Sequence, residues 1–237
     1  MKEVPYEVSA RKDRGDDIYS LRYVGYLHVL FKFWRRRRLE LFLDLIRPSG
    51  SETMLDVGGY PGSWIERPQP VQRIDILNIH EIDFDSDEYP DHAISTLVGD
   101  GCALELDDGS YDIVFSNSVI EHLGSWEKQQ EFAAELRRVG GALWVQTPAY
   151  ECPIEPHFLA PAVHWLPRSV RRFVVRWLTP WGWLQRPTRE ELERMVCEIR
   201  LLTRSEVLSL FPDCEILTER LLWVLPKSYV AVRRARS

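Results

Sequence analysis

The residues best suited to chemistry in this 237-residue chain fall in four places. A glycine turn, Gly58-Gly59-Tyr60-Pro61-Gly62, follows the apolar run Thr53-Met54-Leu55-Asp56-Val57. Glycine lets a backbone turn through positive φ and approach a ligand closely, and free amides at the next element's start favour negative groups. Asp75 follows at the distance where doubly wound folds place an acid to accept from ribose hydroxyls. Asp100, in Val98-Gly99-Asp100-Gly101-Cys102, is a carboxylate able to accept from an adenine amino group. His122, His157 and His164 complete the set. A histidine is the commonest base for taking a proton from a hydroxyl. His122 and His157 are the catalytic candidates, whereas the neighbours of His164, Val163 and Trp165, point to packing.

Such residues need a scaffold that gathers them, and short apolar runs supply one. Thr53–Val57, Val71–Ile76, Ile94–Val98, Tyr111–Ser116 and Ala142–Gln146 read as buried strands, the fourth after an Asp108-Gly109 turn signal. Helical spacing runs from about Leu21 to Ile46, where Arg47-Pro48-Ser49-Gly50 stops it, and again over Glu127–Val139. Strands alternating with helices predict an α/β fold with parallel pairing and a ligand crevice at the strands' carboxyl ends. Pro68 and Pro70 leave room for only a turn or two after the glycine loop. Toward the C-terminus, Thr203 is the expected N-cap of a helix at 204–211. Cys214–Leu225 and Ser228–Arg233 are then expected to form an antiparallel hairpin turning at Pro226-Lys227.

The stretch from Thr53 to Pro148 resembles the class I S-adenosylmethionine-dependent methyltransferases, specifically the methyltransferase type 11 group. The resemblance is carried by Leu55-Asp56-Val57-Gly58-Gly59, by Asp75, by Gly99-Asp100-Gly101, and above all by Asp108-Gly109-Ser110-Tyr111-Asp112-Ile113-Val114-Phe115-Ser116-Asn117-Ser118-Val119-Ile120-Glu121-His122. It implies a Rossmann-like, mostly parallel seven-stranded sheet with a terminal antiparallel strand, and a transferase that uses S-adenosyl-L-methionine. It also implies that Asp56, Gly58, Gly59, Tyr60 and Gly62 face the methionine part of the cofactor. Asp75 and Ile76 would hold the ribose, Asp100, Gly101 and Cys102 the adenine edge, and Asn117 and Ser118 the floor beside the methyl group. The chain differs from the group's Gly-x-Gly-x-Gly run in carrying Tyr60 at the middle glycine, a feature that favours the alternative of a non-catalytic binding or scaffold module. A nicotinamide-dependent oxidoreductase fits less well, because G-x-G-x-x-G spacing is missing.

Composition bounds the remaining readings. Net charge is −6, so phosphate attraction does not drive binding, and no nucleic-acid partner is expected. The four cysteines show no CxxC pairing, which argues against a zinc ribbon or disulfide framework; no metal site is expected. With neither a signal-peptide core nor a membrane-spanning run, the expected location is cytoplasmic. Arg35–Arg38 read as a solvated helix face. Residues 164–186 interleave Trp165, Trp177, Trp181 and Trp183 with Arg168, Arg171, Arg172, Arg176 and Arg186, and no carboxylate. A helix beginning near Pro167 would place Val170, Phe173, Val174 and Trp177 on one face. That segment suits a lid over the core, a peripheral membrane contact, or a protein partner. The expected organisation is an arm over 1–20 and one domain over 21–237 with a lid-like insertion at about 149–190. The expected acceptor is a small or lipid-linked molecule, methylated at oxygen.

Overall fold

The computed structural model describes residues 22–235 other than Pro156, Leu159 and Leu222, with side chains from Trp34 onward; the expected arm lies outside the described residues. Helix α1 (Arg22–Ile46) leads into strands β1 (Thr53–Val57), β2 (Arg73–Asn78), β3 (Ile94–Val98) and β4 (Tyr111–Asn117). Helix α2 (Trp126–Val139) and strand β5 (Gly140–Pro148) follow. After an insertion come α6 (Arg204–Leu210), β8 (Glu215–Leu221) and β9 (Leu225–Arg233). Seven strands form one sheet in the order β3-β2-β1-β4-β5-β9-β8, with β9 antiparallel to both neighbours and the other pairs parallel. The expected mostly parallel Rossmann-like sheet is thus observed. Its order reverses between β1 and β4, which opens a crevice at their carboxyl ends.

Both faces of the sheet are covered, and this explains why its central strands are apolar throughout rather than alternating. On one face Leu55, Val57, Leu77 and Val114 pack with Phe132 and Leu136 of α2. On the other, Met54, Ile74, Ile76, Ile113 and Trp144 pack with Phe42 of α1. Phe42 meets Trp64, Phe115 and Trp144 edge-on, with ring centroids 6.4, 5.2 and 5.7 Å away. Between β1 and β2 the chain makes only a 3-10 turn, Pro61–Ser63, as the prolines led us to expect. Trp64 fills the space beneath it.

Three local expectations change. Strand β2 runs two residues further than its apolar start suggested, because parallel register pairs Val57 with Leu77 and carries the strand to Asn78. The terminal hairpin turns before Leu225, so Pro226 and Lys227 lie within β9. Pro226 is tolerated there because the ladder slips beside it, at Glu219/Arg220. Within the basic run, Arg38 is not solvated: its Nε donates to Glu219 at 2.9 Å.

The insertion has a core of its own. A ribbon of β6 (Ile154–Glu155) and β7 (Ala160–Pro161) precedes helices α3 (Arg168–Leu178), α4 (Pro180–Gln185) and α5 (Arg189–Glu198). Phe158, Val163, Val175, Val196 and Leu201 form its interior. Helices α3 and α4 meet at a tight corner, where a Cβ on Gly182 would lie 2.1 Å from the Val175 carbonyl oxygen. Of the expected apolar face of α3 only Val174 packs inward, partly buried against this core. Val175 is the buried anchor, while Val170, Phe173 and Trp177 stand 45%, 59% and 56% exposed. Among the described residues, no helix is long and apolar enough to cross a membrane.

Phe42→Ala removes the ring that joins α1 to three sheet-side aromatics. It should lower the unfolding free energy by about 3–5 kcal/mol in urea denaturation. A loss below about 1 kcal/mol would mean that α1 is not seated as described.

Candidate active site

The crevice is lined by loops leaving the carboxyl ends of β1, β2, β3 and β4. Gly58 turns at φ 78° and donates its amide to Leu77 at 2.7 Å. Val119 lies so close over Gly58 that a Cβ there would meet its Cγ2 at 2.5 Å. A Cβ on Gly59 would fall 1.8 Å from the Asp56 carboxylate, so this position admits only glycine. Asp56 itself is buried and accepts from the Trp64 indole at 2.8 Å. It braces the loop from beneath, where the sequence suggested that it faces the methionine. Burial pushes its carboxyl up to about 7, against the partial relief of the Trp64 bond. Tyr60 takes ordinary extended backbone (φ −140°) and packs its half-buried ring on the aromatic face of the core. The chain therefore accepts a side chain at this glycine position without backbone strain.

The second strand corrects the sequence reading. Asp75 is not at the strand's end but three residues inside it, buried, and held by Ser95 Oγ, by Tyr111 OH at 2.7 Å and by Arg73 at 3.0 Å. Ile76 is completely buried in the core beneath α1. Neither faces the crevice, because Ile76 and Leu77 extend the buried run and push the strand terminus to Asn78. Asn78 stands where an acid was expected, accepts from the Ile79 amide at 2.9 Å, and directs its amide toward the Gly59 carbonyl at 3.4 Å. Asp100 is exposed and caps its own loop by accepting from Cys102 N at 2.9 Å. Gly101 is buried where a Cβ would strike Phe132 at 2.6 Å, and Cys102 is half-buried beside it. At the end of β4, Asn117 lies at the Arg38 guanidinium at 3.5 Å. Ser118 sits at φ 58°, held by its amide on the Gln146 carbonyl and its hydroxyl on the Gln146 side chain, both at 2.9 Å.

Beyond Ser118 the structure joins both candidate histidines, although 35 residues separate them in the chain. Their Nε2 atoms are 3.1 Å apart, and the rings meet edge-on. His157 Nδ1 lies 2.6 Å from Oε1 of the buried Glu155 and donates to it, while Glu155 Oε2 accepts from Phe158 N at 2.7 Å. Glu121, also fully buried, accepts from Thr147 through Oε2 at 2.9 Å, and its Oε1 has no hydrogen-bond partner. Desolvation by the surrounding protein, helped by the neighbouring His157, lowers the His122 imidazole to about 4, although the residue keeps a solvent-exposed edge. Burial would lower His157 too, but the Glu155 hydrogen bond and charge outweigh it and raise that imidazole. Burial likewise raises the Glu121 carboxyl. His164 is packed away, its Nε2 on the Tyr150 carbonyl at 2.9 Å.

Sequence reasoning did not assign roles to Trp64, Asn78, Glu121 or Glu155. Only Glu155 left a local signal, as a carboxylate two residues before a candidate histidine. Past the histidines, a recess of 390 Å³ is lined by Trp126, Tyr150, Arg168, Arg171 and Arg200. A wider recess by the amino ends of β2 and β3 touches none of these groups.

Residues 56–145 match a family model described as a methyltransferase domain. A search of curated proteins found no match. Among solved structures, an S-adenosylmethionine-dependent methyltransferase from Anabaena variabilis is similar, at 18% identity and TM-score 0.54, over 84% of this chain and 82% of its own. A magnesium protoporphyrin IX methyltransferase from Synechocystis, with S-adenosylhomocysteine bound, has TM-score 0.57 at 14% identity over 93% of each chain. A Rhodobacter sphaeroides protein named as a zinc-dependent alcohol dehydrogenase has TM-score 0.57 at 15% identity, over 85% of this chain and 90% of its own. These likenesses establish the fold, and a shared fold hosts many chemistries. The sequence match is what distinguishes among them, since residues 56–145 match a methyltransferase domain.

The buried Asp56 carboxyl gives a test of this site. Its pKa is raised from 3.8 in the open chain to about 7 in the fold. The folded form therefore holds a proton that the unfolded form releases, and stability falls as pH rises from about 4 to 7. Asp56→Asn keeps an acceptor for Trp64 and should flatten this fall in thermal melts across that range. An unchanged slope would show that the carboxyl is not held protonated.

Proposed function

We propose that this chain transfers a methyl group from S-adenosylmethionine to a hydroxyl of a small or lipid-linked acceptor, within one domain whose segment 149–190 covers the acceptor side. The reading rests on one juxtaposition above all: the Glu155–His157–His122 relay stands just past Asn117 and Ser118, at the end of the strand whose motif resembles the methyltransferases. The crevice suits the cofactor's chemistry. The Gly58-Gly59 cradle admits backbone approach only, and Asn78, Asp100 and Cys102 border the neighbouring loops.

When bound, S-adenosylmethionine supplies an electrophilic methyl on a sulfonium. The chain's task is to hold the acceptor oxygen in line with that methyl and to take its proton. Positioning alone supplies much of such acceleration. Of the two imidazoles His157 is the stronger base, because the buried Glu155 carboxylate accepts from its Nδ1 and stabilises the protonated ring. His122, whose imidazole desolvation and the neighbouring His157 keep neutral, stands with its Nε2 3.1 Å from that of His157.

The exposed surface of α3 and α4 supports a lipid-linked acceptor. Phe173, Trp177, Leu178 and Trp183 are all more than half exposed, beside Arg168, Arg176 and Arg186. Aromatic and basic side chains on one surface suit an anionic bilayer interface.

Calorimetric titration should detect S-adenosylmethionine binding, weakened about tenfold by Asp100→Ala through the loss of a hydrogen bond. His157→Ala should keep that affinity while slowing transfer by about a hundredfold or more. Absence of binding at millimolar cofactor would overturn the reading. Vesicles containing phosphatidylserine should co-sediment the protein at low salt, whereas phosphatidylcholine vesicles should not, and Phe173→Glu with Trp177→Glu should release it. Sedimentation that survives both substitutions would remove this surface from consideration.

A further inference from the structure

We propose that Glu121, His122 and His157 together bind one divalent first-row transition-metal ion. One donor atom from each residue lies within 4.8 Å of the others. The two Nε2 atoms are 3.1 Å apart. Two nitrogens about 2.0–2.1 Å from a shared ion lie about 2.9–3.4 Å apart in cis-octahedral or tetrahedral geometry, so the rings already stand at ligand spacing. Glu121 supplies an independent observation. Its side chain is fully buried, Thr147 satisfies Oε2, and Oε1 has no partner. A buried carboxylate oxygen left unpaired is expensive, and a cation at the histidines would satisfy it.

The surrounding groups are those a metal site requires. A ligating histidine characteristically donates its other ring nitrogen to a carboxylate, which fixes the tautomer and leaves the remaining lone pair for the ion. Glu155 does this for His157 Nδ1 at 2.6 Å, and Thr147 orients the Glu121 carboxylate. Two imidazoles and one carboxylate favour zinc, cobalt, iron or manganese over magnesium or calcium. Three protein ligands leave a coordination position open, and exposed His122 marks the side on which it opens.

Metal binding stands on this geometry alone, while its use rests on the methyl-transfer reading. With an ion bound, His157 Nε2 is a ligand, and the ion rather than the imidazole acidifies the acceptor. A hydroxyl oxygen in the open position loses its proton to bulk water more easily beside a divalent charge. The oxygen is then fixed beside the end of β4, where the methyl is offered.

The test uses the full chain, stripped with a chelator and titrated with zinc, cobalt and magnesium. One zinc or cobalt per chain is expected, with visible cobalt bands, and magnesium should not compete. Glu155→Gln should weaken zinc binding about 10- to 100-fold. His122→Ala combined with His157→Ala should abolish it, with near-ultraviolet circular dichroism confirming the fold. Glu121→Gln, which alters a proposed ligand while keeping its shape, provides a second variant and should also weaken binding, as should His122→Ala alone, since that residue is exposed. No stoichiometric binding, or binding that persists in the double histidine variant, would overturn the proposal. A parallel S-adenosylmethionine titration reads the methyl-transfer hypothesis separately, since it requires none of these ligands.

Discussion

The crevice depends on a buried hydrogen bond, from the Trp64 indole to the Asp56 carboxylate, made under the glycine turn. The carboxylate fills the volume that any side chain at Gly59 would need. Trp64 in turn anchors the short crossover to the aromatic layer of Phe42, Phe115 and Trp144. With no helix between β1 and β2, this contact does the work that helix packing does elsewhere in such folds. It also explains why Tyr60 is tolerated: the turn is held from below, and the extended tyrosine adds its ring to the same aromatic face.

The opposite end of the crevice is held differently, by buried charge. Glu121 and Glu155 come from separate segments and are both inaccessible to solvent, yet each has a defined hydrogen bond. Groups like these are retained at the expense of stability only where the surrounding structure over-determines them, and such places concentrate function. Here β5 supplies Thr147, the ribbon supplies Glu155, and the turn after β4 supplies Glu121 and His122. This end of the crevice is therefore assembled where the seven-stranded sheet meets the segment between β5 and α6. The insertion keeps its own small core around Val175 and leaves the aromatic-basic side of α3 and α4 outside. One segment thus contributes inward to the site and outward to a surface.

Much of this was legible in the chain itself. The apolar runs, the glycine turn and the Tyr111–His122 motif specify parallel strands with a crevice at their carboxyl ends. The reason is local: a buried strand, a stopped helix and a positive-φ turn each leave their mark within a few residues. Prolines 68 and 70 likewise announce the missing helix.

Tertiary structure decided what those local marks leave open. Register fixed the end of β2, turning Asp75 from a ribose acid into a buried partner of Tyr111, which lies 36 residues further on, and placing Asn78 at the crevice. Packing chose Val175, with Val174 beside it, as the anchor of α3, where the apolar spacing pointed to the face of Phe173 and Trp177. His122 and His157 were each visible as candidates. That they face one another, with one carboxylate behind and another beside them, follows only from docking the ribbon onto the end of β4. Periodicity encodes which side of an element is apolar, but contacts between distant elements depend on how whole elements pack, and no short window of sequence contains that information.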